Sequence, residues 1–223
     1  MLSLILAESA LELVPNELQN HNSVLAHSKR VNKKPSELIL DVSWHFAAMK
    51  GIKNEIKRGR PDLVHFCMLE ACSIPLYFEN KLQIYIHTIE DKVISVGNNV
   101  HLPKSYHRFI GLIEKLYATG IIEEGEKKLL EIKNIDFGKL IDKINPKEII
   151  GLSTKGATSS YEKLAKVIGK DSCIVVGGFP KGHFSDQILK SMNNLVSVDE
   201  NPLEAHVIIS RVLYEYEKEL LCS

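Results

Sequence analysis

A glycine-rich loop follows a run of apolar residues late in the chain, in the stretch CIVVGGFPKGHF that spans residues 173–184. Gly177 and Gly182 have the spacing of a Walker A loop, whose second glycine must be followed by Lys and then by Ser or Thr. His and Phe follow Gly182 here, so the ammonium group and the hydroxyl that a nucleotide phosphate and its Mg²⁺ require are missing. The order of the glycines also differs from that of dinucleotide sites, and Pro180 supplies no backbone N–H. The loop is therefore a poor site for a phosphate.

Two further segments leave apolar runs through small residues, GLSTKG at 151–156 and LVSVDENPL at 195–203. Neighbouring strands of a parallel sheet deliver the loops at their carboxyl ends to the same edge. Three such loops could enclose a flat heterocycle between backbone groups and apolar side chains. A nucleoside such as an adenosyl group suits a site of this kind, and three ordinary strand-to-helix turns are the alternative.

A basic run from Lys50 to Arg60 contains five cations and a single acid, Glu55. Such a run suits the phosphate backbone of RNA, and a solvated helix face is the alternative. Asp62 follows Arg60 by two residues, either as an acid at the start of a helix or as the partner that holds Arg60. Because an aspartate of ordinary pKa is a weak base for a ring N–H, a catalytic general-base role for Asp62 is the less favoured interpretation.

A second cluster combines Lys104, His107 and Arg108 with Tyr106. Basic and aromatic side chains together bind single-stranded or flipped nucleotides, because they pair with phosphates and stack on bases. A surface patch at the start of a helix is the alternative. The two basic clusters are the candidates for an RNA-binding surface.

The composition sets limits on these interpretations. The 223-residue chain is 44% hydrophobic and 25% charged, which is ordinary for a globular protein with a substantial core. Its 28 basic and 28 acidic residues cancel, so any surface for nucleic acid must be local.

Four cysteines without a CxxC pair predict reduced, buried thiols in a cytosolic protein. No cluster of His, Cys and Asp predicts a metal site. Glu8 and Glu12 interrupt the apolar N-terminus, which predicts a buried strand and no signal peptide or membrane span.

Periodicity and turn residues predict the elements that position the candidate residues. The last third of the chain alternates strands and helices, which indicates a mostly parallel sheet covered by helices. The final helix is expected to begin with Asn201 as its N-cap and Pro202 in its first turn. The wide apolar surface of this helix would cover the sheet and either a partner subunit or further core. The earlier predicted elements are a strand over LSLILA, a helix over ESALELVPNEL, a helix over PDLVHFCMLEACSI that includes Phe66 on its apolar side, a hairpin over 82–96 and a helix over SYHRFIGLIEKLYATG.

The motifs VVGGFPKGHF, LVSVDENPLEA and IIGLST resemble the cofactor loops of SPOUT-class methyltransferases. RGRPDLVHF, LQIYIHT and LPKSYHRFIGL resemble one family within that class, the ribosome-biogenesis pseudouridine methyltransferases known as nucleolar essential protein. The resemblance extends from LILDVS to the final helix. It implies an α/β fold with a mostly parallel sheet, helices on both faces, a hairpin and helix insertion, and a C-terminal trefoil knot that physical arguments alone would not suggest.

The same resemblance implies S-adenosylmethionine as the cofactor, a homodimer, and methylation of ring nitrogen N1 of a pseudouridine in small-subunit rRNA. An rRNA-binding assembly factor whose main role is non-catalytic is the alternative. The compact chain without a basic tail is similar to the archaeal members, which implies a cytoplasmic location. A single domain over 1–223 is expected, with RNA-binding elements at about 44–125 and the knotted cofactor-binding part at about 149–223.

Individual site residues follow from the matching motifs. His65 and His87 are expected to be structural, and Asp62 to orient Arg60. The family more often has Arg at position 104, so Lys104 keeps the charge but would weaken a bidentate phosphate or base contact. The residues implied for RNA binding are Arg60, Asp62, Lys104, His107 and Arg108. Those implied for the cofactor are Leu152, Thr154, Gly177, Gly178, Gly182, Leu195, Val196, Ser197, Val198, Asp199, Glu200 and Leu203.

Overall fold

The computed structural model describes residues 1–221, which form a mixed sheet with helices packed on both faces. The strands are β1 (Leu2–Ser9), β2 (Leu82–Thr88), β3 (Val93–Val96), β4 (Ile121–Glu124), β5 (Lys127–Lys133), β6 (Glu148–Thr158), β7 (Ser172–Gly177) and β8 (Asn194–Ser197). The helices are α1 (Asn22–Val31), α2 (Val42–Met49), α3 (Pro61–Ala71), α4 (Pro75–Phe78), α5 (Tyr106–Thr119), α6 (Phe137–Ile144), α7 (Tyr161–Val167), α8 (Asp186–Lys190) and α9 (Ala205–Leu221).

The sheet has the strand order β4-β5-β3-β2-β1-β7-β6-β8. Neighbouring strands pair in parallel from β2 through β1, β7 and β6 to β8. The predicted hairpin of β2 and β3 is confirmed. Beyond β2, the strands β3, β5 and β4 extend the sheet with antiparallel pairing. β1 is a central strand, with Ser3 opposite Cys173 of β7. As the sequence predicts, the carboxyl ends of β6, β7 and β8 lie side by side.

Two hydrophobic cores lie on opposite faces of the sheet, because successive side chains of a strand point to opposite sides. Leu4 and Leu6 of β1 belong to the core that α3, α5 and α9 cover. Ile5 and Ala7 belong to the core under α6 and α8. A third, smaller cluster around Val24 joins α1 to α2. The predicted helix-covered, mostly parallel sheet is confirmed, whereas the trefoil knot concerns the threading of the chain and stays a prediction.

Local signals place α3 and α5 where the sequence predicts them. Pro61 occupies the first position of α3. Its fixed φ suits the helix, and a residue at this position needs no N–H because the helix provides no acceptor for it. Gly120 ends α5 with a left-handed φ of +78°. The expectation that Phe66 belongs to the core is wrong, since it is 51% exposed, and Val64 and Met68 are buried instead.

The predicted helix over ESALELVPNEL is wrong. β1 continues to Ser9, and residues 10–18 contain an antiparallel bridge from Leu13 to Ile39 and one 3-10 turn at Asn16–Leu18. Leu11 and Glu12 are both completely buried, and the backbone N–H of Ala10 bonds to the carbonyl of Gly178. A surface helix hides one stripe of side chains, whereas this segment is enclosed by the rest of the protein, so tertiary contacts override its helical pattern.

The final helix starts later than the sequence predicts. α9 begins at Ala205, so the expected N-cap Asn201 and first-turn Pro202 are wrong, and both residues are exposed in the preceding loop. The carboxylate of Asp199 accepts a hydrogen bond from the backbone N–H of Asn201 at 2.9 Å. This bond gives the loop a conformation of its own ahead of the helix.

Cys67, Cys72 and Cys173 are free and buried, as predicted, whereas Cys222 lies outside the described residues. Burial raises the pKa of Cys72 and of Cys173 to about 12, so both remain thiols at neutral pH. Within residues 1–221, no helix combines the length and the apolar character needed to cross a membrane.

Candidate active site

A cleft of about 600 Å³ lies where the carboxyl ends of β6, β7 and β8 meet. Its walls are the three loops that the sequence analysis singled out. Leu63, in the first turn of α3, lines the same cleft and so brings the RNA-binding candidates beside it. The predicted cofactor residues that the structure brings together here are Leu152, Thr154, Gly177, Gly182, Ser197, Val198, Asp199, Glu200 and Leu203.

Three residues predicted for the cofactor do not line this cleft. Gly178 packs against β1, since a Cβ on it would lie 2.1 Å from Oγ of Ser9. Leu195 and Val196 pack against the hydrophobic cores on the two faces of the sheet. Side chains within a strand are committed to the faces of the sheet, and only the residues at the end of β8 and beyond can turn toward the cleft.

The glycine-rich loop has the conformational features predicted for it. Gly182 has a φ of +105°, which favours glycine. A Cβ on Gly177 would approach the ring of Phe179 to 2.8 Å, so only glycine fits without a shift of that ring. Phe179, Lys181 and Glu204 also line the cleft. The sequence analysis missed these three, although they lie within or beside the quoted motifs.

Glu8 anchors the glycine-rich loop to β1, a role that the sequence analysis missed. The carboxylate of Glu8 accepts a hydrogen bond from the backbone N–H of Ser185 at 3.2 Å and pairs with Nζ of Lys57 at 2.8 Å. Nζ of Lys57 also lies 4.5 Å from the ring centroid of Phe179. Glu8 itself has a φ of +50°, which is uncommon for a residue other than glycine. One buried carboxylate thus holds the loop and the basic segment together.

Arg60 and Asp62 form a two-pronged ion pair beside the cleft. Nε and one terminal nitrogen of Arg60 each donate to a different oxygen of Asp62 at 2.8 Å. Partial burial opposes ionisation of Asp62, but the bonds from Arg60 outweigh it and hold its pKa below the ordinary value. The bond to Asp62 raises the pKa of Arg60, and the carboxylates of Glu204 and Asp41 act in the same direction. The carboxylates around Arg60 therefore favour its cationic form.

The second basic cluster lies at the start of α5. Lys104, His107 and Arg108 are exposed, and the described residues offer no carboxylate within ion-pair distance of the two cations. Tyr106 is half-buried and donates its hydroxyl hydrogen to Asp41. The ring centroid of Tyr106 lies 6.1 Å from that of His65 in α3, and His65 follows Asp62 by three residues. The structure thus brings the two predicted RNA-binding clusters together around Tyr106.

The basic run from residue 50 to 60 is neither a helix face nor a uniform RNA-binding surface. α2 ends at Met49, and the run follows in a loop with one 3-10 turn. Arg58 donates from Nε and a terminal nitrogen to the carboxylate of Glu12, at 2.8 and 2.5 Å, and this pair is almost completely buried. Lys57 is held by Glu8. These two cations therefore stabilise the fold instead of facing solvent.

His65 and His87 are buried and hydrogen-bonded, as predicted for structural histidines. Nε2 of His65 lies 2.7 Å from the carbonyl oxygen of Pro103, which ties α3 to the segment before α5. His87 accepts from the backbone N–H of Glu8 through Nδ1 and contacts Asp91 through Nε2. No group of His, Cys, Asp and Glu in residues 1–221 has an arrangement that could hold a metal ion.

The helix-covered parallel sheet, with a cleft between adjacent strand exits, has the architecture of a SPOUT-type methyltransferase. The structure superposes on that of Archaeoglobus fulgidus Nep1 bound to S-adenosylhomocysteine with a TM-score of 0.89 and 32% identity, over 98% of both chains. The chain belongs to the EMG1/NEP1 methyltransferase family, whose model matches residues 4–217. The predicted family and fold are confirmed.

Relatives of similar length carry one name. The chain is 41% identical over 214 residues to the ribosomal RNA small subunit methyltransferase Nep1 of Staphylothermus marinus, covering 95% of this chain and 93% of that one. It is 38% identical over 223 residues to the protein of the same name from Thermococcus sibiricus, covering 99% of this chain and all of that one.

Proposed function

We propose that this protein transfers a methyl group from S-adenosylmethionine to ring nitrogen N1 of a pseudouridine in small-subunit rRNA. The observation that carries the proposal is the position of Leu63, which lines the cleft and directly follows Asp62. The cofactor cleft and the Arg60–Asp62 pair are therefore adjacent, as the transfer of a group between cofactor and RNA requires. The names of the relatives and the ligand of the A. fulgidus structure support the same activity.

The residues of the cleft fit an adenosyl cofactor. Its volume of about 600 Å³ lies within the range of small-molecule sites. Leu152, Leu203 and Ile208 supply apolar contacts for a heterocycle, and the loop backbone at Gly177 and Gly182 can approach it closely. Glu200 and Glu204 supply negative charge that suits a cationic ligand. When bound, S-adenosylmethionine supplies an electrophilic methyl group on its sulfonium sulfur.

The RNA side of the site positions the nucleotide rather than activating it. Arg60 is held in one geometry by Asp62, and Lys104 and Arg108 are exposed cations that can bind phosphates. Both oxygens of Asp62 accept hydrogen bonds from Arg60, and its pKa is low, so it is poorly suited to remove a proton from a ring nitrogen. Water accepts that proton after methyl transfer. Catalysis then rests on the alignment of the two reactants.

Two measurements test the proposal. Isothermal titration calorimetry with S-adenosylmethionine should show saturable binding, and mass spectrometry should show a methylated pseudouridine in small-subunit rRNA incubated with the protein and cofactor. The change Arg60→Gln should lower methyl transfer while cofactor affinity stays the same. Lys53→Gln, an exposed cation of the same basic run, is the matched control and should retain activity. An absence of cofactor binding at tens of micromolar would contradict the proposal.

We also propose that the protein works as a homodimer, through the surface that α3 and α9 share. Phe66 on α3 is 51% exposed, and its ring lies 5.7 Å from that of His206 on α9. A second copy of the chain would cover the exposed ring of Phe66.

Light scattering coupled to size-exclusion chromatography tests the dimer. Wild-type protein should have twice the chain mass of 25.1 kDa, and Phe66→Asp should reduce the mass to that of one chain. Phe78→Asp, at a ring that is 47% exposed on α4, is the matched control and should leave the mass unchanged. A wild-type protein with the mass of one chain would refute the dimer.

A further inference from the structure

A second cavity, of about 300 Å³, lies between α1, α2 and the start of α5. None of the residues that line it lines the cofactor cleft. Its lining includes the side chains of His27, Arg30 and Trp44 and the carboxylates of Asp41 and Glu114. We call it the α1–α2 cavity. The proposed methyl transfer does not use it.

A chain of hydrogen bonds fixes the tautomers of two histidines at this cavity. The backbone N–H of Asp41 donates to Nδ1 of His45 at 3.1 Å, so the ring hydrogen of His45 is on Nε2. That Nε2 lies 2.9 Å from Nδ1 of His27 and donates to it. The ring hydrogen of His27 is therefore on Nε2, which has no partner among the described residues. Burial lowers the pKa of both rings, which keeps them neutral at pH 7. The cavity thus contains a neutral N–H donor with a fixed direction.

The lining of the cavity includes a stacked wall of planar groups. The rings of His27 and Trp44 are stacked, with their centroids 4.6 Å apart and an angle of 9° between their planes. The guanidinium carbon of Arg30 lies 4.8 Å from the centroid of Trp44. Both Arg30 and Trp44 are exposed. Tryptophan rings and guanidinium planes are the surfaces on which proteins stack unpaired nucleic-acid bases.

The charges of the cavity balance, because two cations, Arg30 and Lys33, and two carboxylates, Asp41 and Glu114, line it. The carboxylates of Asp41 and Glu114 are largely buried, and each already accepts hydrogen bonds, Asp41 from Tyr106 and Glu114 from Lys33 and the backbone of Ile39. Because the four charges cancel and Lys33 is already paired with Glu114, a neutral ligand suits the cavity. A nucleobase carries both acceptors and donors, so it can bond to the His27 N–H and to a carboxylate lone pair together. A volume near the lower end for small-molecule sites suits one base.

The position of the cavity connects it to the proposed RNA surface. Tyr106 and His107 belong to the second basic cluster and also line the α1–α2 cavity. The carbonyl oxygen of Pro103, next to Lys104 of that cluster, bonds to His65 of α3, and α3 directly follows Arg60. An RNA strand bound at Arg60 and at the second basic cluster can therefore place a nearby base in the α1–α2 cavity.

We infer that the α1–α2 cavity binds a second, unpaired base of the RNA whose target nucleotide enters the cofactor cleft, by stacking on the Trp44–Arg30 wall and bonding to His27. This inference rests on the proposed function for the identity of the RNA. It assigns to the cavity a part in selecting the sequence around the target. Base stacking and one directed donor give this selection a physical basis.

The single tryptophan of the chain makes the cavity directly observable. Wild-type protein is titrated with short unstructured oligouridylate, oligocytidylate and oligoadenylate, and with an abasic ribose-phosphate oligomer of the same length. At least one of the three base-containing RNAs should change the Trp44 fluorescence in a saturable way, and the abasic oligomer should not. Equal changes with the abasic oligomer would show a phosphate site and overturn the inference, as would no change with any RNA.

A pair of variants tests the contribution of the wall. Trp44→Leu should weaken binding of fluorescently labelled RNA about 5- to 150-fold, the range expected for one lost stacking contact. Phe46→Leu changes an exposed aromatic residue of the same helix that does not line the cavity, and should leave RNA affinity unchanged. Equal RNA affinity of Trp44→Leu and wild type would overturn the inference. The wild-type fluorescence measurement needs no variant, so a Trp44→Leu protein that misfolds leaves that test in force.

Cofactor titration separates this inference from the proposed function. Trp44→Leu should bind S-adenosylmethionine with wild-type affinity, because Trp44 does not line the cofactor cleft. Methylation of rRNA by the wild type without any effect of RNA on Trp44 would refute the second base site and leave the methyltransferase proposal intact. Saturable, base-dependent changes at Trp44 in a protein that does not methylate rRNA would support the base site and refute the activity.

Discussion

The buried pair of Glu12 and Arg58 gives the sharpest test of how the basic segment is used. Glu12 is completely buried and the side chain of Arg58 is 12% exposed, and two charged hydrogen bonds of 2.8 and 2.5 Å join them. Removing one partner of such a pair leaves an uncompensated charge inside the protein. The usual cost is about 3–5 kcal/mol, whereas an exposed pair contributes about 0–1 kcal/mol.

We expect Glu12→Leu and Arg58→Met each to lower the free energy of unfolding by about 3–5 kcal/mol. For a chain of this size that corresponds to a fall in Tm of roughly 6–20 °C. The double variant Glu12→Leu, Arg58→Met should recover most of the loss, because two apolar side chains replace two buried charges. Urea unfolding followed by circular dichroism at pH 7 measures all four proteins. Losses below about 1 kcal/mol in both single variants would refute the reasoning.

The stability of Arg58→Met as a function of pH tests the direction of the Glu12 pKa shift. Burial raises the pKa of Glu12, and this effect outweighs the lowering by Arg58. Without Arg58, the Glu12 carboxyl of the folded protein therefore stays protonated to a still higher pH. In the unfolded chain Glu12 releases that proton near the ordinary pKa of 4.5. Stability of Arg58→Met should therefore fall as the pH rises above about 4.5, until the folded carboxyl also ionises. A stability that rises with pH over that range would contradict this assignment.

Three further predictions concern other parts of the molecule. Arg108→Gln should weaken RNA binding at all sequences and reduce the slope of log affinity against log salt by about 0.7–0.9, measured by anisotropy over a salt series; an unchanged slope would exclude a phosphate contact. Gly178→Ala should destabilise the protein by about 1–3 kcal/mol, because the new Cβ would meet Ser9, while cofactor affinity of the folded protein stays at the wild-type value in calorimetry. Burial lowers the pKa of His45 to about 4. As the pH falls below 6.5, His45 therefore binds a proton in the unfolded chain but stays neutral in the folded protein. His45 should thus cost up to roughly 3 kcal/mol of stability as the pH falls from 6.5 to 4, and urea unfolding of His45→Gln should show a weaker pH dependence over that range.

The parts of the fold that the sequence predicts correctly are those with local causes. The alternation of apolar runs and amphipathic segments in the last third places β6 to β8 and their helices, and Gly120 ends α5 through its own backbone preference. The cofactor cleft follows from the same pattern, because adjacent parallel strands must end at one edge. Local signals therefore define the position of this site without any knowledge of long-range contacts.

The parts that sequence reasoning misses depend on residues far apart in the chain. Glu8 meets Ser185, and His27 meets His45, and no spacing or motif relates the members of either pair. Asn201 is a different case, because its local sequence predicts a helix start that the structure does not have. Its backbone N–H bonds to the carboxylate of Asp199 within a loop instead. Burial and ion pairing decide these positions, and both are properties of the assembled fold.

The central place of β1 has a consequence for how the protein is made. β1 begins at the second residue, yet its neighbour β7 pairs Ser3 with Cys173, and the terminal amine of Met1 bonds to Asp171, 170 positions away. At about 5–20 residues per second of synthesis, β1 is made roughly 10–30 s before β7. Its other neighbour, β2, is made earlier, so one edge of β1 stays unpaired during that interval. A pause in translation between β2 and β7 would lengthen the time for which this apolar strand has an open edge.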